Sequence, residues 1–209
     1  MLELAELTSV WAHGWAVSRG RPPPVAVAGG LMINLDESRN IARYVLYPGG
    51  WQVAARLGRD VTAPGTEIKI VGATAGLRAA LTGDWTMYDP GRLMTVAFTS
   101  GVAQVPPSCT ARIVEDGGAL LAEIRDSAGD VVSRARLAAC GRHGVIDRVR
   151  TRPAEQRRGL GRAVLTMLGN RALQEGLTTG LLSATAEGQA LYSALGWTIR
   201  GEVAGAVRS

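Results

Sequence analysis

Val145–Gly161 reads VIDRVRTRPAEQRRGLG. Its first residues read as a strand, Thr151-Arg152-Pro153 as a short break, and the rest as a glycine-punctuated loop that opens directly into a helix. Gln156, Gly159 and Gly161 form Q-x-x-G-x-G at the helix start. Glycines there let the backbone turn tightly and approach a ligand with no Cβ in the way. The unpaired N–H groups of a helix's first turn and the positive end of its dipole then favour an anion in front of them. Arg157, Arg158 and Arg162 add positive charge. The stretch predicts a site for a phosphate or diphosphate.

Downstream, Gly161–Glu175 carries Val164, Leu165, Leu168, Ala172 and Leu173 on one face of a 3.6-residue period and stops at Gly176. A short apolar strand follows near Gly180–Ser183, then a second helix over Glu187–Leu195 that closes on Leu191-Tyr192-Ser193-Ala194-Leu195-Gly196-Trp197. A dinucleotide site would need G-x-G-x-x-G after the first strand and an acidic residue about 20 positions on; this loop has a shorter spacing, lies late in the chain and lacks that acid. The order strand, Q-x-x-G-x-G, helix, strand, helix ending L-Y-x-x-L-G-W resembles the GNAT superfamily of acyl-CoA-dependent N-acyltransferases, from about Thr110 onward.

The resemblance implies an α/β fold with a mixed sheet flanked by helices, acetyl-CoA as cosubstrate and an amine-bearing acceptor. It implies that the loop residues Gln156, Arg157, Arg158, Gly159, Leu160, Gly161 and Arg162 bind the diphosphate. The pantetheine arm would run along the strand Asp147–Thr151, splayed from its neighbour, with Thr151 touching the arm and the N–H of Val149 directed at the oxyanion. Thr185 stands where many relatives have a cofactor-touching asparagine and offers only a hydroxyl. Tyr192 matches the family's tyrosine. A phenol with a pKa of about 10 is protonated at neutral pH and can donate to a departing thiolate; the other reading of Tyr192 is an anchor of its helix to the sheet. Strand alternation puts Asp147 on the face of Val149, which makes it either the amine's base or a charge paired with Arg148, Arg150 or Arg134. Glu123 is the reserve.

The formal net charge is +5, nearly all from arginine, and Lys69 is the only lysine. The arginines are scattered rather than clustered with aromatics, so no nucleic-acid partner is expected. No apolar stretch reaches the roughly 20 residues of a membrane span, and the first residues, MLELAELTSVWAHGWAVSRG, lack the basic start and cleavage pattern of a signal peptide. Two cysteines, Cys109 and Cys140, and two histidines, His13 and His143, show no metal-ligand spacing. A cytoplasmic protein with no metal and no membrane partner is expected.

Two further features set the domain reading. Asp116-Gly117-Gly118 joins the strands Thr110–Glu115 and Ala119–Arg125 so tightly that the two helices usual between the first GNAT strands have no room. Val131–Ala139 completes a hairpin. Upstream, Ile41–Tyr47, Trp51–Arg59, Thr66–Val71, Ala73–Leu81 and Leu93–Phe98 read as strand, helix, strand, helix, strand. ATAGLRAALTGDWT at Ala73–Thr86 also echoes ATAEGQALYSALGWT at Ala184–Thr198. Either this is chance similarity of alanine-rich helices or the chain holds two GNAT-like halves, 1–105 and 106–209, the first degenerate because it lacks the glycine spacing and the tyrosine. The second reading expects the N-terminal sheet to cover the side left open by the missing helices, with the acceptor pocket between the halves. Trp51 or the Trp11–Trp15 segment would line its wall. Leu2–Ser18 is expected as a helix interrupted at Gly14, its tryptophans on one packed face. The sequence thus points to an acetyl-CoA-dependent N-acetyltransferase; a non-catalytic acyl-CoA-binding or regulatory module is the alternative.

Overall fold

The computed structural model describes residues 3–35 and 40–209, so Leu2, the expected first helical residue, lies outside the described residues. The first part of the chain forms α1 (Leu4–Ser18), β1 (Val25–Val27), β2 (Gly30–Asn34), β3 (Ala42–Leu46), α2 (Trp51–Asp60), β4 (Thr66–Val71), α3 (Thr74–Ala80), β5 (Trp85–Met87) and β6 (Gly91–Ala97). The remainder forms β7 (Thr110–Asp116), β8 (Ala119–Arg125), β9 (Val131–Cys140), β10 (His143–Thr151), α4 (Leu160–Gln174), β11 (Thr179–Ala184), α5 (Ala186–Ala194) and β12 (Thr198–Arg208).

All twelve described strands join one sheet in the order β1-β2-β3-β4-β12-β6-β11-β10-β9-β8-β7, with β5 also paired to β12. Two neighbouring pairs are parallel, β3 with β4 and β10 with β11. Parallel neighbours need a crossover, supplied by α2 and α4. The expected α/β mixed sheet flanked by helices is therefore present. At its centre the last strand of each run is embedded in the other: β12 lies between β4 and β6, and β6 between β12 and β11.

The two faces are covered differently. Helices α4 and α5 pack Leu160, Val164, Leu168 and Tyr192 onto the C-terminal strands, and α2 and α3 pack Ala54 and Leu77 onto the N-terminal ones. On the opposite face Leu7, Trp11, Ala12, Trp15 and Ala16 of α1 bury against Val45, Val71, Leu93, Val145, Leu181 and Val203. This corrects the expectation that the N-terminal sheet covers the side left by the missing helices. The two parts of the sheet continue edge to edge, and α1 covers that face over β9 and β10. The physical reason is the strand exchange: β12 pairs with β4 and β6, and β6 with β11, so the N-terminal strands extend the same sheet and cannot stack on it. The missing helices have their own cause in the β7–β8 turn, where Gly117 and Gly118 take φ of 60° and 79°. Two successive positive φ values give a two-residue hairpin turn, which leaves no chain for helices at that point.

Gly14 does not interrupt α1. A Cβ there would lie 2.3 Å from Cγ2 of Val145 on β10, so glycine lets the helix sit close to the sheet. Gly14→Ala gains helix propensity of about 1 kcal/mol but overpacks this contact at about 1–3 kcal/mol. The expected net result is a lower midpoint in urea unfolding; a raised midpoint would mean that propensity governs the site.

Candidate functional site

The site begins where β10 and β11 part. Their register runs His143↔Thr179, Gly144↔Gly180 and Val145↔Leu181 and then stops, although β10 continues to Thr151 and β11 to Ala184. The backbone edge of β10 beyond Val145 thus faces no strand on that side. On its other side the β9 register shifts between Asp147↔Arg136 and Arg150↔Arg134, so Arg148 and Val149 together oppose Ala135. Arg148 takes φ of 52° to do so. A bulge of this kind inserts an extra residue and re-aims the side chains after it.

The bulge corrects the alternation argument that put Asp147 and Val149 on one face. Val149 packs with Ile146, Leu160 and Tyr192 on the α4 side, whereas Asp147 meets α1 on the opposite side. The Asp147 carboxylate is bound by Arg19, with Nε to Oδ2 at 2.5 Å and Nη2 to Oδ1 at 3.0 Å, and Ser18 Oγ lies 3.0 Å from Oδ2. Its ion-pair partner is therefore Arg19 and not Arg148, Arg150 or Arg134. Burial alone would raise the Asp147 pKa, but Arg19, the Arg148 N–H and Ser18 outweigh it and hold the carboxyl below its usual range.

A depressed carboxylate pKa adds stability that is present above the unfolded value of about 3.9 and lost as pH falls through the folded value. Asp147→Asn should cost about 1.5–3 kcal/mol of stability at pH 7, the typical worth of a charged hydrogen-bond partner. In denaturant unfolding, the gap to wild type should close as pH drops below about 4; a constant gap would assign the loss to shape rather than charge.

Beyond β10 a 3₁₀ turn, Pro153–Glu155, leads through extended Gln156 to Arg157 at φ 64° and Gly159 at φ 78°. Gly159 is the N-cap of α4, and the N–H of Ala163 closes the first turn on its carbonyl at 3.0 Å. The N–H groups of Gly159, Leu160, Gly161 and Arg162 therefore precede the first intrahelical bond. A Cβ at Gly159 would meet nothing within 4 Å, so the space before these donors is open. Leu160 is 1% exposed and anchors the helix start in the core. Gln156, Arg157, Arg158, Gly159 and Arg162 are exposed, and Arg158 is ion-paired with Glu155. Thr151 Oγ1 lies 3.0 Å from Ser133 Oγ.

Tyr192 is 8% exposed and stacks edge-on with Trp197 at 5.7 Å between centroids. It shares an apolar cluster with Ile146 and Val149 of β10 and with Leu182 and Ala184 of β11, beyond the last β10–β11 pair. Burial, followed by the Asp147 charge, pushes its phenol up to about 12. Thr185 caps α5, its hydroxyl accepting from the Gly188 N–H at 3.2 Å. Glu123 is held by Arg112 at 2.8 Å and Arg125 at 2.9 Å, and lies outside the cavity described next.

On the α1 face a cavity of about 500 Å³ is lined by residues of both parts of the chain, among them Trp15, Lys69, Asp147 and Thr185. The Trp11–Trp15 segment forms part of its wall, while Trp51 packs against Gly72 and Gly76 on the opposite face. A second, open groove of about 660 Å³ passes Val149, Thr151 and Gln156. Of the expected site residues, Asp147 and Thr185 line the first opening and Val149, Thr151 and Gln156 the second. Tyr192 and the loop residues Arg157, Arg158, Gly159, Leu160, Gly161 and Arg162 line neither. Arg19, Arg43 and Lys69 escaped the sequence reading. The signal available for Lys69 was the chain's only lysine inside the apolar strand TEIKIV. Among the described residues no cluster of metal ligands is present, and no helix is long and apolar enough to cross a membrane.

Comparison with known families places this geometry. The model of the Acetyltransferase (GNAT) family matches residues 83–197, and the chain belongs to that family. A GCN5-related N-acetyltransferase from Kribbella flavida superposes with a TM-score of 0.73 at 17% identity, covering 100% of this chain and 96% of that one. A putative GNAT-family acetyltransferase from Novosphingobium aromaticivorans gives 0.58 at 14% identity over 95% and 97% of the two chains. A tandem GNAT protein from the clavulanic acid biosynthesis pathway gives 0.59 at 12% identity over 86% and 78%. These likenesses are of fold. No protein of curated function matches the sequence.

Proposed function

We propose that this chain transfers an acetyl group from acetyl-CoA to an amine, with one cofactor site in the opening between β10 and β11. The observation that carries the reading is the parting of the two strands after Val145↔Leu181, directly beside a helix N-terminus whose Gly159 faces open space. Acetyl-CoA, when bound, supplies the thioester carbonyl that the amine attacks. In this reading the backbone of Gln156, Arg157, Arg158, Gly159, Leu160, Gly161 and Arg162 holds the diphosphate, helped by the fixed dipoles of the loop. Thr151 and Thr185 contact the cofactor along its arm. The N–H of Val149, released from regular β9 pairing by the bulge, donates to the developing oxyanion, where a preorganised donor acts most strongly.

Tyr192 keeps its proton at neutral pH, because burial holds its pKa near 12, and gives it to the departing sulfur. Asp147 lies one residue from Ile146 at the cavity wall. Its salt bridge to Arg19 makes it a weak base, and it takes the amine's proton directly or through water. Two reactants held together account for much of such a rate.

The same reading takes 1–105 and 106–209 as two GNAT-like halves, the first without a cofactor. It is supported by the repeated crossover order and by an asymmetry: β3 stays paired with β4 through Leu46↔Ile70 to its last residue, so no opening forms there. The free cysteines Cys109 and Cys140 suit a reducing cytoplasm. Thiol release from acetyl-CoA, screened across a panel of amines, tests the function. Amine-dependent release supports it; tight acetyl-CoA binding with no release from any amine would make the chain an acyl-CoA-binding module instead.

A further inference from the structure

Lys69 stands on β4 at one end of the α1-face cavity, and Ile146 and Asp147 of β10 stand at the other, with β12, β6 and β11 between them. The floor between is lined by small and short side chains, Gly91, Ser183, Ala184 and Val203. Gly205 of β12, beside Lys69, lets the Tyr88 ring lie close, since a Cβ there would be 2.6 Å from that ring and 3.5 Å from Lys69 Nζ. Two arginines share the wall, their guanidinium groups 3.9 Å (Arg43) and 5.0 Å (Arg19) from the centroid of the Trp15 ring. Both are engaged, Arg19 with Asp147 and Arg43 with Glu67 at 2.5 Å.

Lys69 differs. Among the described residues its ammonium has no hydrogen bond and no ion pair, and it lies over the Tyr88 ring at 4.9 Å. The groups that face it are Glu67 on its own strand, Arg43 on β3, Arg19 on α1 and Tyr88 before β6. The nearest carboxylate, Glu67, is already taken by Arg43. Burial, and then the Arg43 charge, lower its pKa to about 8. A half-buried cation without a partner is unfavourable unless something supplies the opposite charge. Asp89 and the exposed Glu187 line the same cavity and carry the charge that attracts an amine.

We propose that the acceptor is a small, extended molecule with an amine at one end and a carboxylate or phosphate at the other, the anionic end docking on Lys69. The inference rests on the transferase reading, since it seats the amine end at β10. A cavity of about 500 Å³ is the size of ordinary small-molecule sites. The side chains shorten the span between the strands, since the Lys69 ammonium feels the charge of Arg19, which is itself bonded to Asp147. A molecule several bonds long bridges what remains, which disfavours α-amino acids, whose two groups are adjacent.

Because Lys69 is the only lysine, ¹³C-lysine labelling of the full chain gives one side-chain reporter. Its titration midpoint should lie near 8 and rise by about one unit, a tenfold linkage, on saturation with 6-aminohexanoate or 3-aminopropyl phosphate, without acetyl-CoA. The two compounds distinguish carboxylate from phosphate, and hexylamine should leave the midpoint in place. In turnover, Lys69→Met should lower kcat/KM for 6-aminohexanoate relative to hexylamine about tenfold or more, as loss of a charged hydrogen bond does; Lys69→Arg should keep the preference. A midpoint unmoved by both anionic amines, or a Lys69→Met variant with the wild-type preference, overturns the proposal. A shifted midpoint with no amine acetylated would sink the transferase reading and leave the anion site standing.

Discussion

Gly159→Val is expected to lower acetyl-CoA affinity by about tenfold to a hundredfold, or about 1.4–2.8 kcal/mol, in a chain that still folds. Two effects act together. The residue sits at φ 78°, a conformation that costs an L-residue about 1–2 kcal/mol, and a β-branched one most, so the unliganded loop of the variant relaxes away from the binding geometry and must be strained again to bind. The added side chain also projects into the open space ahead of the unpaired N–H groups, since beyond its chain neighbours nothing lies within 4 Å of its Cβ. The same openness is why the fold should survive. Gly161 is less exposed to this effect, because a Cβ there would touch Leu191 at 3.4 Å and Thr151 at 3.6 Å; a valine would press on those side chains before it met a ligand. Calorimetry with acetyl-CoA, alongside thermal melts, makes the comparison. Wild-type affinity in folded Gly159→Val would remove the diphosphate from this loop.

Tyr192→Phe should lower kcat about a hundredfold, the usual scale for one general acid, with acetyl-CoA affinity unchanged. The ring and its edge-on contact with Trp197 remain in the variant, so packing is largely preserved. An equal fall in kcat and kcat/KM is the pattern of an interaction made only in the transition state. With the phenol pushed up to about 12, its deprotonation should contribute no loss of activity below pH 10. Unchanged turnover in Tyr192→Phe would leave the residue as an anchor of α5.

Much of the C-terminal architecture was legible because its signals are local. Strand, glycine turn and amphipathic helix occupy consecutive residues between Val145 and Gln174, and β4 and β8 have the limits that their apolar runs suggest. What escaped depends on distant partners. The Arg19–Asp147 pair joins residues 128 positions apart, and no pattern along the chain announces it. The bulge at Arg148 inverts the faces of Asp147 and Val149 because of register with β9, and non-glycine residues at positive φ carry no sequence mark. Strand β12 was hidden by Gly201 and Gly205, which weaken a strand in isolation but here admit Val71 and Tyr88 to within 3.0 Å and 2.6 Å of their Cβ positions. The exchange of β6 and β12 between the two runs is a property of the folded sheet alone. Gly14 misled for the same reason: its role is close approach to β10, which a helix pattern cannot express.

The measurement that tests the account most directly is calorimetric titration of acetyl-CoA into the full chain. One molecule bound per chain, with binding lost or greatly weakened in Gly159→Val, is the predicted result, because only β10 and β11 part beside a glycine-started helix while β3 and β4 stay paired to the end of β3. Two molecules per chain, or none, would contradict it.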